Sequence, residues 1–371
     1  MKITKLETFH VKPRWHLLKI TTDEGICGWG EPIVEGRART VETAVHELEA
    51  ILIGANPLHI EALWTKMYRG TFYRGGPVLT SAISGIDQAL WDIKGKYYNA
   101  PVYELIGGPT RDRVRVYAHC GGATAEEFIE NAKAKIEEGF TAFKTGIPGP
   151  VDPVPDNQFI ESFSNYIGAI CDGLPKNIQL AVDFHGKVTP AAALKLVKEL
   201  EQYNLMFIEE PIQCENVDVL ATIARSTSTP IATGERIFTR WGFRDILEKQ
   251  AAMILQPDIC HCGGISEAIK IANMAETYYA LIAPHNPLGP VSLAAGLQVD
   301  ASIPNFLCQE QVNLGEGYLK KPFEVIDGHI EIPKGPGLGI EVNEEFLEEQ
   351  KYSGDWDTPR WSLRDGSFVE W

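Results

Sequence analysis

The sequence predicts an α/β protein whose main body is a closed (β/α)8 barrel, with a smaller α+β domain ahead of it and a short segment behind. Three observations carry that prediction. From Val114 onward, short β-rich runs alternate with amphipathic helical stretches; the runs end in polar residues at nearly constant spacing; and residues 1–112 have a different texture, with strand-like runs close together.

In chain order, "ITKLETFHV", "HLLKITTDEG" and "GICGWGEP" read as three strands. "TVETAVHELEAILIG" and "SAISGIDQALWDIKGKYYN" follow as helices, so residues 1–112 form an α+β domain. Residues 113–318 carry eight strand candidates: "VRVYAHC", "AFKTG", "IQLAVDFHG", "LMFIEEP", "PIATGE", "MILQPD", "ALIAPH" and "FLCQE". "TPAAALKLVKELEQYN" shows the intervening helix, with Ala192, Leu196, Val197 and Leu200 near helical spacing. Residues 319–371 lose the βα period and hold three tryptophans in the last sixteen positions; they are expected to fold back on the first domain.

The polar strand ends are Asp183, Glu209, Glu235, Asp258, His285 and Glu310, at intervals of 26, 26, 23, 27 and 25 residues. Any one of them could be a helix cap or an exposed loop residue. Six together favour a shared site, because a barrel builds its active site at the C-terminal ends of its strands. A doubly wound sheet would use only its switch point and accounts for fewer of these positions. In "LAVDFHG", Asp183 and His185 are two apart, so on a strand both would project from one face.

Composition narrows the partners. A net charge of −16 disfavours nucleic acid, which needs clustered cations, and means that an anionic substrate must be drawn in by local cations or a metal. No apolar run is long enough for a membrane span and no leader is evident, so a cytoplasmic enzyme is expected. The seven cysteines form no regular framework, and "CHC" at 260–262 lacks paired zinc spacing. "GWGEP" and "YRGGP" lack the strand-to-helix context of a phosphate loop and read as two loops closing over the barrel mouth.

The ordered set "VDFHG", "IEEP", "GER", "QPDICHCGGISEA" and "APHNPLGP", behind an α+β domain, resembles the enolase superfamily in its mandelate-racemase-like subgroup. "KITTDEGICGWGEP", "EGRARTVE", "FYRGGP", "SAISGIDQALWDIKGK" and "WSLRDGSFVEW" resemble the galactonate dehydratases within it, over nearly the whole chain.

The resemblance implies a modified TIM barrel capped by the N-terminal domain, which the C-terminal segment completes, and a homo-oligomer. It implies that Asp183, Glu209 and Glu235 hold Mg²⁺, which favours oxygen ligands. Opposite them, His285, oriented by Asp258, would remove the proton beside the substrate carboxylate. His185 would protonate the departing hydroxyl, and Glu310, protonated or sharing a proton, would bond the substrate carboxylate as the enediolate forms. Glu210, on the other strand face, is expected in a salt bridge. Strand 2 reads Lys144, Thr145, Gly146, without the second lysine of the subgroup's racemases, so one-base elimination is favoured over epimerisation.

Arg14, Trp15, Tyr73 and Lys144 are the expected substrate contacts. Gly146 and the proline-rich "IPGPVDPVPDN" depart from the galactonate pattern, and this mouth loop is expected to face the distal hydroxyls. The expected activity is Mg²⁺-dependent dehydration of an aldonate, D-galactonate first, with gluconate, mannonate or a non-catalytic acid-sugar-binding role as alternatives.

Overall fold

The protein is described here by a computed structural model that covers residues 1–70 and 72–371. Strands β1 (Ile3–Val11), β2 (Trp15–Thr22) and β3 (Cys27–Gly30) form an antiparallel sheet. The long helix Pro77–Tyr98 lies across it, beginning with proline at its first position and ending at left-handed Asn99.

Contact between β3 and this helix depends on glycine. A Cβ on Gly28 or Gly30 would lie 2.1 and 1.9 Å from the carbonyl oxygens of Ala89 and Gly85. "GWG" is therefore a buried packing strand, and the expectation of a mouth loop there is corrected.

Eight parallel strands follow: β4 (Arg113–His119), β5 (Ala142–Gly146), β6 (Gln179–Asp183), β7 (Ile208–Glu209), β8 (Ile231–Thr233), β9 (Ile254–Leu255), β10 (Leu281–Ile282) and β11 (Gln309–Gln311). They are ordered β10-β9-β8-β7-β6-β5-β4-β11. A parallel bridge from Ile282 to Phe306, with Leu307 N donating to Ile282 O at 2.8 Å, closes the ring. Tyr117, Ala142, Ala181, Phe207, Ala232, Ile254, Ala283 and Cys308 cluster as its interior. Their neighbours Val116, Phe143, Val182, Ile208 and Leu255 belong to the separate, larger core cluster shared with the surrounding helices.

The strands are shorter than the β-rich runs. "IQLAVDFHG" yields only Gln179–Asp183, because His185 and Gly186 take left-handed backbone, φ 49° and 64°, and turn the chain. His185 thus reaches Asp183 through a turn, and strand alternation does not pair them. Glu235, Asp258 and His285 also lie beyond the last paired residues of their strands. The predicted helix at 40–54 is two pieces, Ala38–Glu47 and Glu49–Leu52. Helix Ile60–Arg69 was not anticipated, although its buried Ile60, Leu63, Trp64 and Met67 stand at i, i+3, i+4 and i+7.

Domain and barrel are latched by buried polar groups. Glu31 accepts from Gly289 N (2.7 Å) and Ser292 N (2.9 Å) at the start of helix Pro290–Ser302. Asp87 accepts from Ser266 Oγ (2.6 Å), and Trp64 Nε1 donates to Gly263 O (2.8 Å). The C-terminal segment bridges Val11 through Lys351, pairs β4 through β12 (His329–Glu331), and ends in a hairpin of β13 (Trp361–Ser362) and β14 (Phe368–Val369). No helix among the described residues is long and apolar enough to cross a membrane.

Candidate active site

The site is the top layer of the barrel interior. His119, Lys144, Asp183, Glu209 and Glu310 each follow an interior residue, Tyr117, Ala142, Ala181, Phe207 and Cys308, by two positions. Strand alternation therefore aims all five inward. Glu235, Asp258 and His285 arrive from the loops just beyond β8, β9 and β10.

Asp183, Glu209 and Glu235 offer oxygens that lie within 4.8 Å of one another. Asp183 Oδ2 is buried without a hydrogen bond; its neighbours are charge contacts with His185 Nε2 at 3.0 Å and Lys144 Nζ at 3.5 Å. An orphaned buried oxygen in an all-carboxylate trio suits a hard divalent cation.

Two other groups of potential ligands fit less well. His10 and His16 stack with ring centroids 4.4 Å apart and 18° between planes, so their in-plane lone pairs run side by side and do not converge with Glu42 on one ion. In the Asp258, His261 and His285 group, Asp258 Oδ2 is already bonded to His285 Nδ1 at 2.8 Å.

Lys144 is buried and spans the site: its Nζ lies 2.9 Å from Glu209 Oε2 and 2.9 Å from Glu310 Oε1. Burial opposes its charge, but Glu209 and Glu310 hold its pKa well above the ordinary value. Burial, reinforced by Asp183, pushes the Glu209 carboxyl up to about 8. Burial would raise Glu235 as well, but His285 beside it brings that carboxyl down to about 2. Asp183 raises His185 to about 9.

His285 Nε2 is 2.8 Å from Glu235 Oε2. The residue expected opposite the carboxylate trio thus touches one of its members. Burial would lower the His285 pKa, yet Glu235, Glu310 and Asp258 raise it well above the ordinary value. Glu310 is likewise buried, but Lys144, His285 and His119 hold its carboxyl well below the usual range. It accepts from Asn286 N at 2.9 Å and pairs with His119 Nε2. His119 was missed, though it too ends a β-rich run and follows Tyr117 by two. Glu210 does form the expected salt bridge, to Arg236.

His185, Glu235, His285 and Glu310 line a cavity of about 780 Å³ whose wall includes Arg14, Glu35, Arg236, His261, Glu370 and Trp371. Arg14 is at this wall, paired with Glu35, donating to Pro287 O (3.0 Å) and lying over Trp356. Trp15 is not: it is 3% exposed and packs edge-on against Tyr318, because its end of β2 is covered on both faces. Tyr73 is exposed beside Phe72 in the segment before Pro77, outside the cavity lining.

Gly146 to Gly149, the start of the mouth loop expected to face the distal hydroxyls, line a second cavity, about 360 Å³, with Lys187, Trp361 and Trp371. The cavities share His119, Lys144, His185 and Trp371. The tail residues were missed because only the hairpin brings position 371 back to the barrel.

Residues 5–107 match the family model for the mandelate racemase / muconate lactonizing enzyme N-terminal domain, and residues 127–346 the enolase C-terminal domain-like model. The chain belongs to this family of the enolase superfamily. This mandelate racemase / muconate lactonizing enzyme family member is 47% identical to a D-galactonate dehydratase of Cronobacter sakazakii (strain ATCC BAA-894) and 46% to one of Ralstonia pickettii (strain 12J), over 100% of each chain. Among solved structures, an enolase from Agrobacterium radiobacter with bound Na and L-malate matches this family member with a TM-score of 0.94 at 31% identity, covering 100% of both chains. A mandelate racemase/muconate lactonizing enzyme from a Sulfitobacter species matches with 0.91 at 34% identity, covering 97% of this chain and 99% of that one. Members of the superfamily use a divalent metal, and this chain has a carboxylate cluster able to hold one.

Proposed function

We propose that this family member is a hydro-lyase that removes water from an aldonate, converting D-galactonate to 2-dehydro-3-deoxy-D-galactonate. The observation that carries the reading is one cavity walled by His285, His185 and Glu235, with Asp258 behind His285 and with Asp183 and Glu209 beside Glu235. Asp183, Glu209 and Glu235 would hold Mg²⁺, favoured by the all-oxygen donor set, and the chemistry supplied there would be Lewis-acid stabilisation of negative charge developing on the substrate carboxylate.

The protein's own groups divide the remaining work. Asp258 accepts the Nδ1 hydrogen of His285, and with Glu235 turned to the metal its hold on Nε2 would be released, leaving that nitrogen to take the C2 proton. As the C3–O bond breaks, His185 gives a proton to the leaving oxygen, so the oxygen departs as water and the enol becomes the 2-keto acid. Glu310, through His119 and Lys144, orients the substrate carboxylate; Lys144 fixes Glu209 and Glu310 and donates no proton.

A second aldonate is favoured by one feature. Gly146, where the chain departs from the galactonate pattern, packs so closely that a Cβ there would lie 3.0 Å from Asp183 O, so any larger residue would alter this wall. Cytoplasmic residence and homo-oligomeric assembly belong to the same proposal; the free thiols suit a reducing compartment.

The test is a panel of aldonates scored for 2-keto-3-deoxy product with Mg²⁺ and with excess chelator. D-galactonate should give the highest kcat/KM and chelation should abolish turnover. Failure of every aldonate would overturn the reaction, and full turnover in chelator would overturn the metal.

A further inference from the structure

His261, in the "CHC" stretch, has no place in that chemistry, yet it is built into the same cavity. Its ring is 5% exposed and lines the larger cavity with Arg236, His285 and Glu310. Its Nε2 is buried and has no hydrogen-bond partner. Its Nδ1 lies 3.6 Å from Asp258 Oδ2, beyond hydrogen-bond reach, while His285 Nδ1 holds the same oxygen at 2.8 Å.

The surrounding backbone is fixed from both sides. His261 N donates to Asp258 O (2.9 Å) and Cys260 N to Asp258 Oδ1 (2.7 Å). From the cap helix Pro77–Tyr98, Ser84 Oγ accepts from Gly263 N (2.9 Å) and Gln88 Nε2 donates to Ile259 O (3.1 Å). With its backbone held and its side chain buried, His261 has little room to turn toward another partner.

A buried imidazole nitrogen without a partner costs free energy, and the cost is recovered when a ligand supplies the missing group. The nearby Asp258 carboxylate favours the hydrogen on Nδ1, which leaves Nε2 as an acceptor without a partner on a residue that lines the cavity. A polyol acid offers hydroxyl donors along its chain. We infer that His261 Nε2 accepts a hydrogen bond from a substrate hydroxyl beyond the reacting C2–C3 pair, and so determines which sugar acids are used. The inference rests on the aldonate reading above.

The rival role is structural, acting through Asp258 on His285, and the two roles separate in a double cycle. His261→Phe and His261→Gln are compared with the unaltered enzyme on the best aldonate and on its 4-, 5- and 6-deoxy analogues. Thermal melting confirms that each variant folds. His261→Phe should lower kcat/KM on the parent aldonate by about 10- to 100-fold. On one deoxy analogue, which lacks the partner hydroxyl, the same substitution should cost almost nothing more. His261→Gln, which restores an acceptor, should recover part of the loss. Exchange of the C2 proton of that analogue in D₂O should be unchanged.

Equal losses on the parent and on every analogue would overturn the inference in favour of the Asp258 route, as would no loss at all. An enzyme that turns over no aldonate would remove the reading on which the inference rests, and the inference with it.

Discussion

His185 and His285 rest against different carboxylates, Asp183 at 3.0 Å and Glu235 at 2.8 Å, and only His285 has Asp258 behind it. That asymmetry separates base from acid. In D₂O, His285→Asn should lose dehydration and C2 proton exchange together. His185→Asn should lose dehydration by roughly 10² to 10⁴ while slow exchange continues in unreacted substrate. NMR on the best aldonate follows both signals, and exchange lost in His185→Asn but kept in His285→Asn would reverse the assignment. At this scale the sequence exposed the residues that close β-rich runs, but not where each side chain turns. Trp15 and Arg14 are neighbours, yet one lies in the core and the other at the cavity wall.

Among the elements, the C-terminal hairpin decides how the site is enclosed. Trp361 lies over Lys187 Nζ at 4.4 Å, and the same ammonium donates to Ile147 O at 2.7 Å, so one cation ties the hairpin to the mouth loop. Trp371 then packs on His185 with centroids 5.8 Å apart and forms part of the wall of both cavities. Trp371→Ala joins the two spaces and loosens His185. It should reduce kcat/KM by about 10-fold or more, the usual effect of truncating an aromatic anchor, here half-buried. C2 exchange should persist, since the contacts of His285 are with Glu235 and Asp258. Steady-state kinetics with exchange in D₂O checks this; an unchanged kcat/KM would show that the hairpin plays no part in the site.

For the whole molecule, the −16 net charge is not offset at the cavity wall, where Arg14, Lys144 and Arg236 are each already paired with a glutamate. A buried group away from the site contributes to acid sensitivity. His16, 0% exposed in the N-terminal domain, is pushed from 6.5 to about 4 by burial and by neighbouring His10, against the bond its Nδ1 donates to Pro32 O. The folded state binds that proton more weakly than the unfolded chain does. The stability is therefore complete above pH 6.5 and is lost as pH falls toward 4, by up to ~3 kcal/mol. Urea unfolding of wild type and His16→Asn at pH 7 and pH 4.5 should show the steeper loss in wild type. Parallel losses would assign the acid sensitivity elsewhere.

The sequence by itself determined the repeat of βα units and the polar residues that close or just follow the strands, Asp183, Glu209, Glu235, Asp258, His285 and Glu310, because the repeat period is a local property of the chain. It also carried helix Ile60–Arg69 in plain periodicity. What only the tertiary structure decided was contact between distant segments: His119 on Glu310, Lys144 between Glu209 and Glu310, the cap helix holding His261, and Trp371 on His185. These pairings depend on ring closure and on a tail that crosses the N-terminal strands to reach the barrel mouth, and no local pattern encodes the separation that folding removes.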